Sequence, residues 1–190
     1  MEKDKKIILD LCGGTGAWSK PYSDAGYDVR LITWPEDVRF YKLPILEGWR
    51  KEREQIYGIL SAPPCTHLAN IGSQHWKQKG DKALLEALSI VDACLRIIYA
   101  TNPVFWALEN PIGRLVHYIG KPLMYFNPHE YGDPYTKKTC LWGKFNIPKK
   151  NIVRSEGKNP IWNMPPSKNR GELRSITPAG FAKAFYEANK

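Results

Sequence analysis

The sequence predicts an α/β protein with a doubly wound, mostly parallel sheet, and two observations lead to this fold class. Short apolar runs of strand length alternate with segments of helical periodicity, and a glycine-rich turn and one helix connect the first strand to the second. Strands joined in this way lie parallel, with helices covering both faces of the sheet. Because a chain of 190 residues closes one core of ordinary size, we expect a single compact domain.

The first half of the pattern is a βαβ unit. Residues 7–11 form an apolar strand, and a glycine-rich turn leads from it to a helix over residues 19–25. Gly26 ends this helix, because a residue without a Cβ atom suits the backbone at a helix C-terminus. Residues 27–33 then alternate apolar and polar side chains, as a second strand does.

Two further strands are each followed by proline. Residues 56–60 precede Pro63 and Pro64, which cannot donate hydrogen bonds to a sheet. Residues 104–108 precede Glu-Asn-Pro at 109–111, where we expect the strand to end. Open α/β sheets bind ligands at the carboxyl ends of their strands, so these segments and the glycine-rich turn should converge on one cleft.

The longest helix is predicted over residues 82–100. Leucine, isoleucine and valine recur there at helical spacing, Asp81 is a suitable N-cap, and Asn-Pro at 102–103 stops the pattern. Beyond residue 120 the periodicity weakens, until residues 175–189 resume a helical pattern near Pro178.

The charge favours a polyanionic partner. Lysine and arginine outnumber acidic residues 28 to 19, which gives a net charge of +9. Such a chain attracts nucleic acid through phosphate contacts and counterion release, although many basic proteins are merely well solvated.

Cysteine and histidine usage indicates neither disulfides nor a metal. The four cysteines lack paired metal-ligand spacing, and no secretory leader precedes the first strand, which favours free thiols in a reducing cytoplasm. The four histidines also lack the spacing of metal ligands, so no metal site is expected. No apolar stretch approaches the ~20 residues that cross a bilayer, so no membrane association is expected.

Three segments carry candidate chemistry. Residues 10–19 (DLCGGTGAWS) place glycines where a backbone turns tightly beside a nucleotide-type cofactor, with strand-to-helix packing as the alternative. The stiff Pro63-Pro64 segment holds Cys65 as a nucleophile would be held, whereas a lone cysteine is otherwise a small buried residue. Glu109 ends a buried strand, where an apolar neighbourhood raises the pKa of a proton donor; a loop-anchoring carboxylate is the alternative.

These three segments, in this order, resemble the signature blocks of the cytosine-C5 DNA methyltransferases. Residues 131–139 and 174–178 are similar to later blocks of the same family. The resemblance implies a Rossmann-like class I S-adenosylmethionine-dependent methyltransferase fold. It also implies a compact member of the kind that a phage carries.

The resemblance implies a role for each catalytic candidate. Cys65, following Pro64, attacks carbon 6 of cytosine while Glu109 protonates or hydrogen-bonds ring nitrogen 3, and carbon 5 then takes the methyl group. Asn110 would position the Cys65 loop. Lys137 stands where the family usually carries arginine and is a further catalytic candidate. Two neighbours in the same block also depart from the family, which usually has glutamine at Tyr135 and arginine at Thr139.

The cofactor implied by the resemblance is S-adenosyl-L-methionine. Trp34 lies where the family stacks a residue on adenine, and Asp37 and Val38 resemble its contact to the adenine edge. Thr33 replaces the acidic residue that usually binds the ribose hydroxyls, and Glu36 is a possible substitute. The cofactor candidates are Asp10, Cys12, Gly13, Gly14, Thr15, Gly16, Ala17, Trp18, Trp34, Asp37, Val38 and Pro63.

The chain divides into a methyltransferase core at 1–142, a short basic and aromatic insertion at 143–172, and a C-terminal helix returning to the core at 173–190. The insertion is far shorter than the family's target-recognition region, so a recognition partner or a homo-oligomer stays open. Basic residues interleaved with aromatics suit single strands, and a solvated surface loop is the alternative. The insertion carries Lys144, Phe145, Lys149, Lys150, Arg154, Lys158, Trp162, Lys168 and Arg170.

Three functions remain possible at this point. The first is methylation of cytosine in DNA, and the second is the same chemistry on RNA or a cytosine nucleotide. The third is a catalytically inactive module that binds nucleic acid or a partner, which the altered Thr33 and Lys137 favour. The intact Cys65 and Glu109 favour an enzyme.

Overall fold

The computed structural model describes residues 5–43, 56–157 and 170–190, and six strands in this part form one sheet. The strands are β1 Ile7–Leu11, β2 Asp28–Ile32, β3 Ile56–Ser61, β4 Phe105–Pro111, β5 Met124–Phe126 and β6 Thr139–Lys144. Their order is β2-β1-β3-β4-β6-β5. β1 to β4 run parallel, whereas β6 is antiparallel to both of its neighbours. The prediction of a mostly parallel sheet is therefore confirmed.

The helices of the described part are α1 Lys20–Asp24, α2 Trp76–Thr101, α3 Val116–Ile119, α4 Arg170–Ser175 and α5 Ala179–Ala188. The backbone of α2 leaves helical geometry at Gly80 (φ 66°, ψ −173°), so its continuous part begins beside the predicted N-cap, Asp81. The predicted C-terminal helix begins later than residue 175, because α5 starts after Pro178. No helix in the described ranges is long and apolar enough to span a membrane.

Alternate residues of β1 face two separate cores. Leu9 and its alternate neighbours pack with the apolar side of α2, whereas Ile8 packs with an aromatic cluster from α1 and α5. In that cluster the rings of Phe126 and Phe181 stack with centroids 3.9 Å apart. Helices thus cover both faces, as a doubly wound sheet requires.

β4 is longer than the sequence predicts. The predicted end at residue 108 is wrong, because the strand continues through Pro111 and pairs with β6. In this register Glu109 lies opposite Leu141, and Asn110 lies opposite Cys140. The two polar residues therefore belong to the sheet, where successive side chains point to opposite faces.

The strand order reverses between β1 and β3, since β2 lies on one side of β1 and the remaining strands lie on the other. The chain segments that follow β1 and β3 therefore lead away from each other and leave a crevice at the carboxyl ends of these two strands. Proteins with open α/β sheets bind their ligands in such a crevice. Residues 12–16 follow β1 here, and residues 62–65 follow β3.

The described part of the insertion packs back onto the core. Phe145 contacts the ring of Phe185 at a centroid distance of 5.3 Å. Asn146 N–H donates to Asn189 Oδ1 at 2.8 Å, and Asn189 Nδ2 donates to Asn146 O at 3.1 Å. Phe145 therefore belongs to the core and is not free to stack on bases. Other residues of the predicted binding segment lie outside the described ones: Lys158, Trp162 and Lys168.

Candidate active site

Cys65 lies in a short turn just beyond β3. Ala62 N–H donates to Leu11 O at 2.9 Å, which ties the start of this turn to the end of β1. The backbone N–H groups of Leu68 and Ala69 both donate to Cys65 O at 2.9 Å. The thiol is half-buried, and the preceding Pro63 is buried. The turn therefore holds the thiol at the carboxyl edge of the sheet.

Asn110 links this turn to β4. Its side chain is buried, and Nδ2 donates to Pro63 O at 3.0 Å. Asn110 Oδ1 has no hydrogen-bond partner among the described residues. This bond fixes the backbone two residues before Cys65, which is the segment that Asn110 is predicted to position.

Arg114 fastens the far side of the same turn. Its backbone N–H donates to Leu68 O at 2.9 Å, and its Nε donates to His67 O at 2.8 Å. The guanidinium also lies 4.4 Å from the ring centroid of Trp76, within cation–π range. Sequence reasoning missed Arg114, and its position directly behind the Glu-Asn-Pro block is the signal that marks it.

The backbone at Gly113 lies very close to the backbone of Leu68 and Ala69. A Cβ atom there would lie 1.9 Å from Leu68 O and 2.7 Å from Ala69 Cα, distances that no side chain tolerates. Only glycine therefore allows the chain after β4 to press against the Cys65 turn. Sequence reasoning missed this residue as well.

Glu109 is the acidic group of the site. Burial raises the pKa of its carboxyl group, and the positive charge of Lys137 opposes this rise. Since Phe105 and Ala107 of the same strand face the aromatic core, the alternation of β4 places Glu109 on that face and Asn110 on the other. A carboxyl group with a raised pKa can donate a proton near neutral pH.

Three charged groups act on the Cys65 thiol. Burial and the negative charge of Glu109 raise the pKa of its thiol, whereas Lys137 and Arg174 lower it. Lys137 Nζ donates to Arg174 O at 3.2 Å. The structure thus brings together the predicted Cys65, Glu109 and Lys137, and adds Arg174, which belongs to the matched block at 174–178 but was not predicted as a site residue.

The glycine-rich turn follows β1 and is held by β2. Cys12 N–H donates to Ile32 O at 2.7 Å, and Gly14 N–H donates to Thr33 Oγ1 at 3.2 Å. Gly16 closes the turn by donating to the carbonyl of Gly13 at 2.9 Å. Thr33, which stands where the resemblance leads us to expect an acidic residue, therefore supports the glycine-rich turn.

Three positions of this turn have left-handed backbone, with φ of 58° at Cys12, 56° at Gly14 and 72° at Gly16. The thiol of Cys12 contacts that of Cys94 in α2, and this contact and burial raise the pKa of Cys12. The side chain of Cys12 thus points toward the α2 core, and Thr15 lies exposed at the tip of the turn, with Ala17 half-buried behind it.

Asp10 lies buried beneath the turn. Ser19 Oγ donates to its Oδ2 at 2.5 Å, whereas Oδ1 has no hydrogen-bond partner in the described part of the chain. Burial raises the pKa of Asp10 from 3.8 to about 6. A Cβ atom on Gly13 would lie 2.3 Å from Asp10 Cγ. The Asp10 carboxyl group thus occupies the place that a Gly13 side chain would take, and its unsatisfied oxygen makes a small polar cradle that a ligand would complete.

The other predicted cofactor contacts differ in their surroundings. Trp34 is 87% exposed just beyond β2 and presents a free ring face. Trp18 is buried against Phe181 and Phe185, so its side chain belongs to the aromatic core and only its backbone is left for a ligand. Val38 is likewise a buried core residue.

Asp37 has a structural partner. Its carboxylate accepts hydrogen bonds from Arg39, whose side chain also pairs with Glu86 of α2. These bonds lower the pKa of Asp37 and fasten the segment after β2 to α2. The side chain predicted to contact adenine is therefore already engaged.

The histidines and acidic groups make no metal centre in the described residues, where no group of three potential ligands comes together. His67 follows the Cys65 turn, and burial together with the charges of Lys79 and Arg114 lowers its pKa.

The parallel strands, the reversed β6 and the helices on both faces define a Rossmann-like methyltransferase fold. One solved structure of this fold is a DNA modification methyltransferase encoded within an E. coli prophage, with TM-score 0.50, 19% identity and coverage of 78% of this chain and 52% of that one. The chain is also similar to the Entamoeba histolytica methyltransferase EhMeth, with TM-score 0.41, 12% identity and coverage of 88% of this chain and 62% of that one. The chain thus spans between half and two thirds of the length of these structures. No protein-family model and no curated protein matches the sequence.

Proposed function

We propose that the protein transfers a methyl group from S-adenosyl-L-methionine to carbon 5 of cytosine in DNA, through a covalent adduct with Cys65. The observation that carries the proposal is the meeting of Cys65, Glu109 and Lys137 at the edge of the sheet where the glycine-rich turn also lies. The sequence resemblance to the cytosine-C5 DNA methyltransferases supports it.

The residues of the turn fit this cofactor. S-adenosyl-L-methionine supplies an electrophilic methyl group on a positively charged sulfur when it is bound. Asp10 and the backbone of residues 12–17 would hold its methionine part, since Asp10 Oδ1 lacks a partner in the described chain and the absence of a side chain on Gly13 lets the turn pack directly against this carboxyl group. The exposed ring of Trp34 offers a surface for adenine.

The reaction begins at the thiol. Cys65, as the thiolate, forms a bond from Sγ to carbon 6 of cytosine while Glu109 gives its proton to ring nitrogen 3. Electron density then moves to carbon 5, which becomes nucleophilic enough to accept a methyl group. Loss of the carbon 5 proton to a base forms the double bond between carbons 5 and 6, breaks the bond from carbon 6 to sulfur and restores the thiolate. Ring nitrogen 3 returns its proton to the Glu109 carboxylate.

The neighbours of Cys65 make this addition efficient by holding the thiol in place. Asn110 fixes the Pro63 carbonyl, and Pro64 restricts the backbone just before the nucleophile. Such rigidity keeps the reacting atom near its attack position, and this can supply a large part of a rate enhancement. The mechanism needs Cys65 as a free thiol, which suits a reducing, cytoplasmic setting.

The substrate is proposed to be an unpaired or flipped cytosine in DNA. The described insertion, residues 143–157, lies along the core and provides little independent surface for duplex reading. Sequence selection would then depend on a partner or a second copy of the chain. A compact, phage-like enzyme of this kind would combine a full catalytic edge with a reduced recognition region.

Methyl transfer tests the proposal directly. The protein would be incubated with S-adenosyl-L-methionine labelled with tritium in the methyl group and, in parallel, with duplex DNA, single-stranded DNA, RNA and dCMP. We expect label at carbon 5 of cytosine, strongest with one DNA form, lost in Cys65→Ala and kept in Cys140→Ala. Greater activity on RNA or dCMP than on DNA would show that the substrate is RNA or a cytosine nucleotide. Cofactor binding without transfer to any substrate would favour an inactive binding module.

A further inference from the structure

The side chain of Arg114 is held in place beside the Cys65 turn. Its Nε donates to His67 O at 2.8 Å, and its guanidinium lies 4.4 Å from the ring centroid of Trp76. Its backbone N–H donates to Leu68 O, and Leu68 N–H in turn donates to Cys65 O. The guanidinium is therefore fixed at the carbonyl group two residues after the candidate nucleophile.

The positive charge of Arg114 has no counter-ion in the described residues. Arg39, which is also half-buried, pairs with Asp37 and Glu86, whereas no described carboxylate forms an ion pair with Arg114. The two terminal nitrogens, Nη1 and Nη2, make no hydrogen bond within the described chain, and neither is cut off from solvent. Because half-buried arginines are ordinarily paired, both amino groups remain for a ligand.

The chemistry of the free groups indicates an anion with two oxygens in one plane. A guanidinium binds phosphate in this bidentate way, and its stacking on an aromatic ring keeps the fork oriented. The net charge of +9 favours a polyanion as the source of that phosphate. Phosphate contacts fix the register of a strand, so a contact at this place would anchor the nucleotide whose base reaches Cys65.

We infer that Nη1 and Nη2 of Arg114 bind a backbone phosphate next to the target cytosine in a single DNA strand. The choice of DNA as the ligand rests on the proposed function. In this arrangement Nε and the backbone of Arg114 hold the Cys65 turn, while its amino groups hold the strand. A phosphate contact makes strand binding depend on salt, which a residue that only supports the turn does not do.

Binding of a fluorescent single-stranded oligonucleotide, with one cytosine among thymines, tests the inference without a methyl donor. Anisotropy would be measured at several salt concentrations. In Arg114→Gln we expect an affinity about tenfold lower at low salt, and a slope of log affinity against log salt that is shallower by about 0.7. Arg114→Lys keeps a positive charge without the planar fork, so it should keep the wild-type slope and bind with intermediate affinity.

The position of the phosphate is tested with a neutral methylphosphonate at the linkage on either side of the cytosine. At one of the two linkages, we expect the neutral group to weaken binding by wild type and to have no further effect on Arg114→Gln. Effects that add at both linkages would overturn the inference. Equally strong binding of dCMP, lost in Arg114→Gln, would overturn the assignment to a strand.

A matched control is Lys183→Gln, which removes one exposed cation from α5 and should leave both the affinity and the slope unchanged. Thermal melts identify variants that fold, and Arg114→Met replaces Arg114→Gln if the latter does not melt cooperatively. A wild-type salt slope in the folded neutral variant would overturn the inference, whether or not the protein methylates DNA. The expected change of slope in a protein that transfers no methyl group would support the inference and refute the proposed function.

Discussion

Gly113→Ala is expected to slow methyl transfer about 100-fold while leaving cofactor affinity unchanged. The added Cβ atom would lie 1.9 Å from Leu68 O, and real Cβ contacts are essentially never shorter than 3.0 Å. The Leu68 carbonyl must therefore retreat by about 1 Å, and it belongs to the turn in which Leu68 N–H donates to Cys65 O. A misplacement of ~1 Å at a reacting group costs on the order of 100-fold in rate.

Single-turnover methylation of DNA would give the rate, and calorimetry with S-adenosyl-L-methionine would give the affinity. Gly72→Ala is the matched control, because its Cβ atom would meet Thr66 O at an ordinary 3.5 Å, and we expect nearly wild-type rates. A Gly113→Ala protein that folds and methylates within threefold of wild type would refute the reasoning that this contact sets the position of Cys65.

Three further substitutions test the ionisable groups and the cradle. Burial raises the Asp10 pKa from 3.8 to about 6, so the folded state keeps a proton that the unfolded chain has lost. In urea titrations the free energy of unfolding of wild type should therefore fall relative to Asp10→Asn by about 2 kcal/mol between pH 4 and pH 6, and parallel profiles would contradict this. Gly13→Ala would place a Cβ atom 2.3 Å from Asp10 Cγ and should lower the melting temperature and abolish cofactor binding, so calorimetry showing wild-type affinity would speak against the cradle. Glu109→Gln removes a negative charge that raises the pKa of Cys65; alkylation of Cys65 at neutral pH should become faster while methyl transfer is lost, and slower alkylation would be inconsistent with the cluster.

The sequence pattern within a strand or helix was enough to predict those elements whose apolar residues recur with the period of that strand or helix. β1, β2, β3 and the main part of α2 follow from apolar periodicity and from glycine, proline and capping residues at their ends. The end of β4 did not follow, because Glu109 and Pro111 are paired by β6, which begins at Thr139. Pairing across such a separation leaves no signal in the strand itself.

The meeting of Cys65 and Glu109 was predictable, since the carboxyl ends of neighbouring parallel strands share one edge of the sheet. The surroundings of Trp18 were not predictable in the same way. This residue directly follows the glycine-rich turn, yet its ring packs in the core against Phe181 and Phe185 of α5. Contacts from distant elements also decide the positions of Arg114 and Arg174.

The proposed reaction depends on a covalent bond between Cys65 and carbon 6 of cytosine. DNA carrying fluorine at carbon 5 of the target cytosine tests it most directly, because fluorine cannot leave as a proton does and the enzyme remains attached after methyl transfer. The complex formed with S-adenosyl-L-methionine would be digested and analysed by mass spectrometry. The account predicts a methylated fluorocytosine on the peptide that contains Cys65, absent in Cys65→Ala. Methylation of ordinary cytosine by a protein that forms no such adduct, or an adduct on another residue, would contradict it.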